Sequence, residues 1–122
     1  MSHLGRPDGK ANPKYSLKPV VPELEKLLGV KVELAPDCVG KEVEDIVNAA
    51  TGGKVVLLEN LRFHAEEEGS SKDAEGKKVK ASAEAVKEFR RSLTTLGDVF
   101  ISMSHLIPLP VNSISLIAFH LR

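Results

Sequence analysis

The sequence is poor in cysteine and in aromatic residues. Its 122 residues include one cysteine, Cys38, no tryptophan, and only 4% aromatic residues. A single cysteine excludes an intramolecular disulfide and a cysteine-rich zinc site, and this composition fits a reducing compartment. The aromatic residues are too few and too dispersed for a platform that stacks nucleic-acid bases. We expect Cys38 to be a small, buried apolar residue.

An excess of charge of either sign is also missing. The 17 Lys and Arg residues balance 17 Asp and Glu residues, whereas a general nucleic-acid binder needs a marked basic excess. No apolar run approaches the roughly 18 residues that cross a bilayer, and the N-terminal segment has no apolar signal region. We therefore expect a cytoplasmic protein that binds neither nucleic acid nor membrane, although a local basic pocket is compatible with the zero balance.

The hydrophobic pattern predicts one small domain that alternates helices and strands. After a loop over residues 1–15, helical periodicity is present over 16–28, 40–50 and 82–96, with Ser16 and Ser82 as N-caps. Strand patterns cover 30–34, 55–58 and 98–101. The continuous apolar run at 55–58 is typical of a central parallel strand. The order of these elements predicts an α/β fold with a parallel sheet.

Two segments do not fit this pattern. Residues 65–80 are clusters of charged and small residues, which indicates a solvated excursion rather than core. In residues 102–122 the only charged residue is Arg122, and Pro108 and Pro110 interrupt the apolar stretch. This tail differs in composition from the rest of the chain.

Two cationic loops are candidates for a ligand site, because ligands of parallel α/β sheets bind beyond the carboxyl ends of the strands. The first loop, residues 2–10, carries His3 and Arg6 among glycines, and is either an anion-binding loop or an ordinary surface turn. The second, residues 57–69, carries Arg62 directly after the most strand-like segment.

The role of Arg62 has two interpretations from the residues alone. Its guanidinium can give two parallel hydrogen bonds to a phosphate or carboxylate, or it can form a salt bridge. The available partners are Glu59, Glu66, Glu67 and Glu68. His64, beside these acids, is most simply a surface histidine.

Signatures of other chemistries are missing. Gly69 and Gly76 enclose six residues, and Lys78 stands where a Walker loop has its hydroxyl, so this is not a phosphate-cradling loop. The chain has no His-x-x-x-His, Cys-x-x-Cys or Gly-x-Ser-x-Gly motif. We therefore assign no catalytic residue, metal ligand or cofactor-binding residue.

Four segments together resemble the phosphoglycerate kinase family. They are SHLGRPDG at 2–9, KYSLKPVVPELEKLLG at 14–29, DCVGKEVE at 37–44 and LLENLRFHAEEEG at 57–69. The resemblance implies a glycolytic kinase, a transferase that exchanges a phosphoryl group between 1,3-bisphosphoglycerate and ADP to give 3-phosphoglycerate and ATP. It implies a three-layer parallel sheet with flanking helices, and a monomer whose nucleotide substrate, Mg-ATP or Mg-ADP, is held by a C-terminal domain.

The resemblance also implies the residues that contact the phosphoglycerate. His3, Leu4, Gly5 and Arg6 correspond to substrate-binding positions of the first loop, and Arg62 to an arginine that binds the substrate phosphate. We expect Arg6 and Arg62 to converge on one anion, while glutamates 66–68 extend into solvent.

The resemblance ends near Ile101. Residues 1–101 are interpreted as part of the N-terminal domain of the family, and residues 102–122 as a divergent tail without a family counterpart. We expect a fragment that carries part of the phosphoglycerate site and is inactive alone. The alternative is a non-catalytic truncated product or an interaction module.

Overall fold

The computed structural model describes residues 1–72, 75–102 and 116–119, which confirm the α/β class. Helices α1 to α4 span Val21–Leu28, Lys41–Ala49, Ala65–Glu68 and Ala83–Thr94. Strands β1 to β6 span Val32–Leu34, Val55–Leu57, Ser70–Lys72, Lys78–Lys80, Val99–Ser102 and Leu116–Phe119. Short 3-10 turns cover Pro13–Tyr15, Lys18–Val20 and Leu61–Phe63. Within the described residues, no helix has the length and apolar character that a membrane span requires.

Strands β1 and β2 form the parallel pair that the sequence predicts. Val32 lies opposite Val55, and Leu34 lies opposite Leu57. Both strands therefore end at the same edge, and the segments that follow them are neighbours. The segment after Leu34 and the second loop, after Leu57, therefore lie side by side at this edge.

Strand β5 does not join this parallel pair. It pairs antiparallel with β6, so that Val99 lies opposite Phe119. The described residues thus form three sheets of two strands each. The sequence does not predict β6, which supplies backbone hydrogen-bond partners for β5. The rest of the tail, 103–115 and 120–122, lies outside the described residues.

Helix α1 begins later than the sequence predicts. It starts at Val21, and Ser16 is not its N-cap. Pro19 and Pro22 explain the delay, because a proline has no N–H to donate and is tolerated only in the first helical turn. The Ser16 hydroxyl instead donates a hydrogen bond to Glu59 Oε2 at 2.6 Å. The start of the chain is thereby tied to the segment after β2.

The charged segment 65–80 is more ordered than predicted. Helix α3 is followed by a hairpin in which Ser70 lies opposite Lys80 and Lys72 opposite Lys78. The side chains of β4 are exposed. Composition does not reveal this hairpin, because the antiparallel ladder is made by backbone groups rather than by buried apolar side chains.

The apolar core confirms the buried faces predicted for α2 and α4, with Ser82 capping α4 through a 3.0 Å hydrogen bond from the Ala85 N–H. The larger cluster contains Ala35, Cys38, Val43, Val47, Leu58, Leu61, Phe89 and Leu96, and the smaller contains Leu17, Val32 and Leu57. Cys38 is completely buried, as predicted. The predicted apolar face of α1 is partly wrong, because Leu27 is 73% exposed.

Candidate functional site

The first loop approaches its neighbours more closely than a side chain would allow. Gly5 has a φ of +62°, and a Cβ added there would lie 2.4 Å from the Tyr15 ring. Gly9 has a φ of +72°, and its Cβ would lie 2.9 Å from the Cβ of Ala65. Both positions therefore require glycine. The two glycines let residues 2–10 pack against the 3-10 turn at Tyr15 and the start of α3.

The second loop leaves β2 and places Arg62 within a 3-10 turn. The Oδ1 atom of Asn60 accepts a hydrogen bond from the Arg62 backbone N–H at 3.0 Å, which caps the turn. The Arg62 Nη1 donates to the carbonyl of Gly5 at 2.9 Å. The guanidinium therefore lies against the first loop.

Asn60 connects the two loops through its side chain, which is completely buried. Its Nδ2 donates to the carbonyls of Leu4 and Tyr15, each at 2.8 Å. Leaving a buried polar group of this kind unpaired costs about 1–3 kcal/mol. The amide therefore holds the first loop at a defined position relative to the backbone of Arg62.

Glu59 makes the second connection. Its Oε1 accepts hydrogen bonds from the N–H groups of Leu17 at 2.7 Å and Asn60 at 2.8 Å, and its Oε2 accepts from the Ser16 hydroxyl. Neither Glu59 nor Asn60 is among the predicted site residues. The available signal is their place directly after a buried parallel strand, where polar side chains reach the neighbouring loops.

Arg62 forms ion pairs with two glutamates, as the salt-bridge interpretation of this side chain predicts. Its Nε lies 3.5 Å from Glu68 Oε1 and 3.7 Å from Glu67 Oε2. The expectation that glutamates 66–68 extend into solvent is wrong for Glu67, whose side chain is only 12% exposed. The guanidinium attracts the carboxylate because little water separates the two charges.

Two buried polar atoms at this site lack a hydrogen-bond partner among the described residues. They are the Nε of Arg62 and the Nδ1 of His3. The glutamate oxygens are within ion-pair distance of Arg62 Nε but do not make a hydrogen bond with it. Both atoms belong to residues that the sequence predicts as ligand-binding.

Burial also shifts the titration of two side chains beside Arg62. Burial raises the pKa of Glu67, against the opposing effect of the Arg62 charge. Burial, followed by the Arg62 charge, lowers the pKa of His3 below its usual 6.5. At neutral pH the imidazole is therefore mainly neutral, and the positive charge of the site comes from arginine.

Arg6 and Arg62 line one open cleft of about 820 Å³, a volume typical of sites for small molecules. Its other cationic lining residues are Lys72, Lys78 and Arg90, and its acidic ones are Asp8, Glu66, Glu67, Glu68 and Asp98. The structure thus brings the two predicted arginines to the same space. His3, Leu4 and Gly5 are not among the described residues that line it.

A second group of polar side chains lies at the same edge of the β1–β2 pair. His64 Nε2 lies 2.7 Å from Asp37 Oδ1, and its ring centroid lies 5.2 Å from that of Phe89. His64 is therefore a partly exposed histidine, with a side chain 25% exposed, that contacts Asp37 rather than the glutamates beside it in the sequence. With the Cys38 thiol, these groups place three potential metal-ligand atoms within 4.8 Å of one another. Burial raises the pKa of Cys38, so its thiol is protonated at neutral pH.

Comparison with known proteins identifies relatives over most of the chain. Residues 1–105 match the family described as phosphoglycerate kinase. Curated relatives with that name include proteins of Aspergillus flavus, 78% identical over 102 residues, Neurospora crassa, 74% identical, and Tetrahymena pyriformis, 64% identical. These alignments cover 84% of this chain but 24–27% of each relative. The chain spans about a quarter of the length of the curated relatives it matches.

Proposed function

The chain belongs to the phosphoglycerate kinase family, and on that basis we propose that it carries part of a phosphoglycerate-binding site. The ligands are 3-phosphoglycerate and 1,3-bisphosphoglycerate, and the binding residues are His3, Leu4, Gly5, Arg6 and Arg62. In the whole enzyme this site serves phosphoryl transfer between 1,3-bisphosphoglycerate and ADP.

The observation that carries this proposal is the Nε of Arg62, which is buried and has no hydrogen-bond acceptor among the described residues. Buried polar groups in proteins are nearly always hydrogen-bonded, so a guanidinium N–H without an acceptor among the described residues points to a missing acceptor. A phosphate supplies that acceptor together with a negative charge. His3 contributes in the same way, because a neutral imidazole can carry its proton on Nδ1.

The proposed chemistry requires fixed positive charge more than an acid or a base. Phosphoryl transfer depends mainly on positioning and on neutralising the phosphate charge. Arg62 is positioned by Asn60 and by the Gly5 carbonyl, and Arg6 faces the same cleft. The phosphate competes with Glu67 and Glu68 for the guanidinium. No residue of this chain is assigned as a catalytic residue.

Titration of the full chain with 3-phosphoglycerate tests the proposal. We expect saturable binding by isothermal titration calorimetry, weakened about 10- to 100-fold in Arg62→Ala, because a charge-assisted hydrogen bond contributes roughly 1.5–3 kcal/mol. Arg91→Ala is the matched control, since this exposed arginine of α4 does not line the cleft. Absence of binding by the parent chain, or an equal loss in the control, contradicts the proposal.

We further propose that the 122-residue chain alone does not catalyse phosphoryl transfer. Turnover needs the Mg-ATP or Mg-ADP substrate, and no residue of this chain is assigned to its binding. A coupled assay with 1,3-bisphosphoglycerate and ADP should detect no ATP formation. Turnover that Arg62→Ala abolishes would overturn this part of the proposal.

The proposal also covers the domain of the whole enzyme to which these residues belong. Residues 1–101 form part of an N-terminal domain with a three-layer parallel sheet and flanking helices, and residues 102–122 are a divergent segment. The parallel β1–β2 pair supports this sheet. The enzyme is a cytoplasmic monomer that binds neither nucleic acid nor membrane.

A non-catalytic interaction module is the second candidate, and one observation favours it. Leu27, Leu28 and Val30 are 73%, 50% and 43% exposed at one end of α1, and exposed apolar patches often mark interaction surfaces. Size-exclusion chromatography distinguishes the candidates. Self-association that Leu27→Glu abolishes supports the module, whereas a sharp monomer with cooperative melting counts against it.

A further inference from the structure

We propose that Asp37, Cys38 and His64 form a binding site for Zn²⁺. This site is separate from the cleft at Arg62, and the proposal does not depend on the proposed phosphoglycerate function. The three side chains supply a carboxylate oxygen, a sulfur and an imidazole nitrogen.

The parallel strand pair brings these residues together from distant parts of the sequence. Asp37 and Cys38 follow β1, whereas His64 follows the 3-10 turn after β2. A backbone hydrogen bond from the Glu59 N–H to the Asp37 carbonyl, at 3.3 Å, ties the two segments. The pairing of β1 with β2 therefore brings the three residues of the cluster together.

The ligand atoms are close to the spacing that zinc requires. All three lie within 4.8 Å of one another, and His64 Nε2 is 2.7 Å from Asp37 Oδ1. Ligands about 2.0–2.3 Å from a tetrahedral zinc lie roughly 3.4 Å apart. Asp37 and His64 must therefore separate by about 0.7 Å. The Asp37 side chain is 43% exposed and can make this movement, while contact with Phe89 orients the imidazole.

The cluster is open to solvent on one side. Asp37 and His64 line an open cleft of about 700 Å³, whereas Cys38 is completely buried. An ion that enters this cleft meets the Asp37 carboxylate and the His64 imidazole, and the proposal makes the buried thiol beside them its third protein ligand. Water supplies the fourth ligand from the cleft, as in zinc sites with three protein ligands.

The mixture of ligand atoms selects the ion. Calcium and magnesium prefer sites made only of oxygen, whereas sulfur and imidazole nitrogen suit zinc. On binding, a Zn–S bond forms as the Cys38 thiol proton passes to the buffer, and the ion takes the place of the hydrogen bond between His64 Nε2 and Asp37 Oδ1. The imidazole binds Zn²⁺ through Nε2 as the neutral ring, with its one N–H proton on Nδ1. The thiolate and carboxylate then balance the two positive charges of the ion.

Titration of the full chain with Co²⁺, a spectroscopic substitute for zinc, tests this site. Because Cys38 is the only cysteine, any thiolate-to-cobalt charge-transfer band in the near ultraviolet must come from it. We expect the band to appear at one Co²⁺ per chain and to disappear on addition of Zn²⁺. We also expect Zn²⁺ to raise the Tm.

Variants distinguish this site from adventitious binding. Cys38→Ser should abolish the band, and His64→Gln and Asp37→Asn should weaken Co²⁺ binding at least about tenfold. The latter two change partly exposed residues, so they remain informative if Cys38→Ser does not fold. Asp45→Asn, at an exposed position of α2, is the matched control for Asp37→Asn and should bind Co²⁺ as the parent does. A folded parent chain without the band, or unchanged affinity in His64→Gln, overturns the proposal.

Discussion

The segment from the end of β2 to the end of α3, residues 58–68, contacts its surroundings differently at its two ends. At the amino end, the side chains of Glu59 and Asn60 make hydrogen bonds of 2.6–3.0 Å to Leu4 of the first loop, to residues 15–17 and to local backbone. At the carboxyl end, Glu67 and Glu68 lie 3.7 and 3.5 Å from the Arg62 guanidinium. Arg62 stands between the two ends.

This difference suggests two roles. The contacts at the amino end stabilise the fold, whereas the ion pairs at the carboxyl end can be exchanged for contacts with a ligand. The Asn60 side chain is completely buried, and its partners are the Leu4 and Tyr15 carbonyls and the Arg62 N–H, so loss of the amide leaves these backbone groups without that hydrogen bond. On the proposed function, the glutamates near Arg62 occupy the place that the substrate phosphate takes, and burial disfavours the charge of Glu67. Substitutions at the amino end should therefore change stability, and those at the carboxyl end should change ligand binding and pH dependence.

Asn60→Ala should have the largest effect on stability. It leaves the Leu4 and Tyr15 carbonyls and the Arg62 N–H without their partner, which we expect to lower the free energy of unfolding by about 3 kcal/mol. Urea denaturation followed by circular dichroism measures this loss. Asn48→Ala, at an exposed position of α2, is the control and should change it by less than about 0.5 kcal/mol. A loss of stability in Asn60→Ala no larger than that in Asn48→Ala would show that the hydrogen bonds of Asn60 do not stabilise the fold.

Glu67→Gln should have an intermediate effect that depends on pH. Because the pKa of Glu67 is raised in the folded state, its contribution to stability is greatest below the unfolded value of 4.5 and is lost as pH rises through the folded pKa. The variant should therefore have a higher Tm than the parent at neutral pH, and the difference should shrink below pH 4.5.

The same variant should bind 3-phosphoglycerate more tightly at neutral pH, since one competitor for Arg62 has lost its charge. Melting curves between pH 4 and 8 and calorimetric titrations give both readouts. Glu88→Gln, on the exposed face of α4, is the matched control. A lower Tm and weaker binding in Glu67→Gln would show that Glu67 positions Arg62 rather than competing for it.

Lys41→Ala should have the smallest effect. Lys41 Nζ lies 3.4 Å from Asp45 Oδ1, with the two side chains 87% and 64% exposed. Such pairs contribute about 0.5 kcal/mol or less, and salt screens them. Urea denaturation at low and high salt should show a small difference that disappears in high salt. A loss of unfolding free energy in Lys41→Ala as large as that in Asn60→Ala would mean that solvent exposure does not predict how much these contacts stabilise the protein.

The elements predicted correctly are those whose signal is local. Helices α2 and α4 follow from apolar spacing and the Ser82 cap, and the β1–β2 pair follows from a short apolar strand between turns. The β3–β4 hairpin was missed because its strands bury no regular apolar face. The start of α1 was misplaced because Pro19 and Pro22 outweigh the apolar spacing around them.

The site shows the same division at the level of single residues. Charge and glycine content mark Arg6 and Arg62 as candidates, because these are properties of the residues themselves, and the resemblance to the family favours both as binding residues. The Asn60 amide reaches Leu4 and Tyr15 across 56 and 45 positions of the chain, and His64 reaches Asp37 across 27. Such partners are chosen by the register of the parallel strands and by packing, which no local pattern encodes. The fold therefore selects which charges meet, and the sequence supplies the charges.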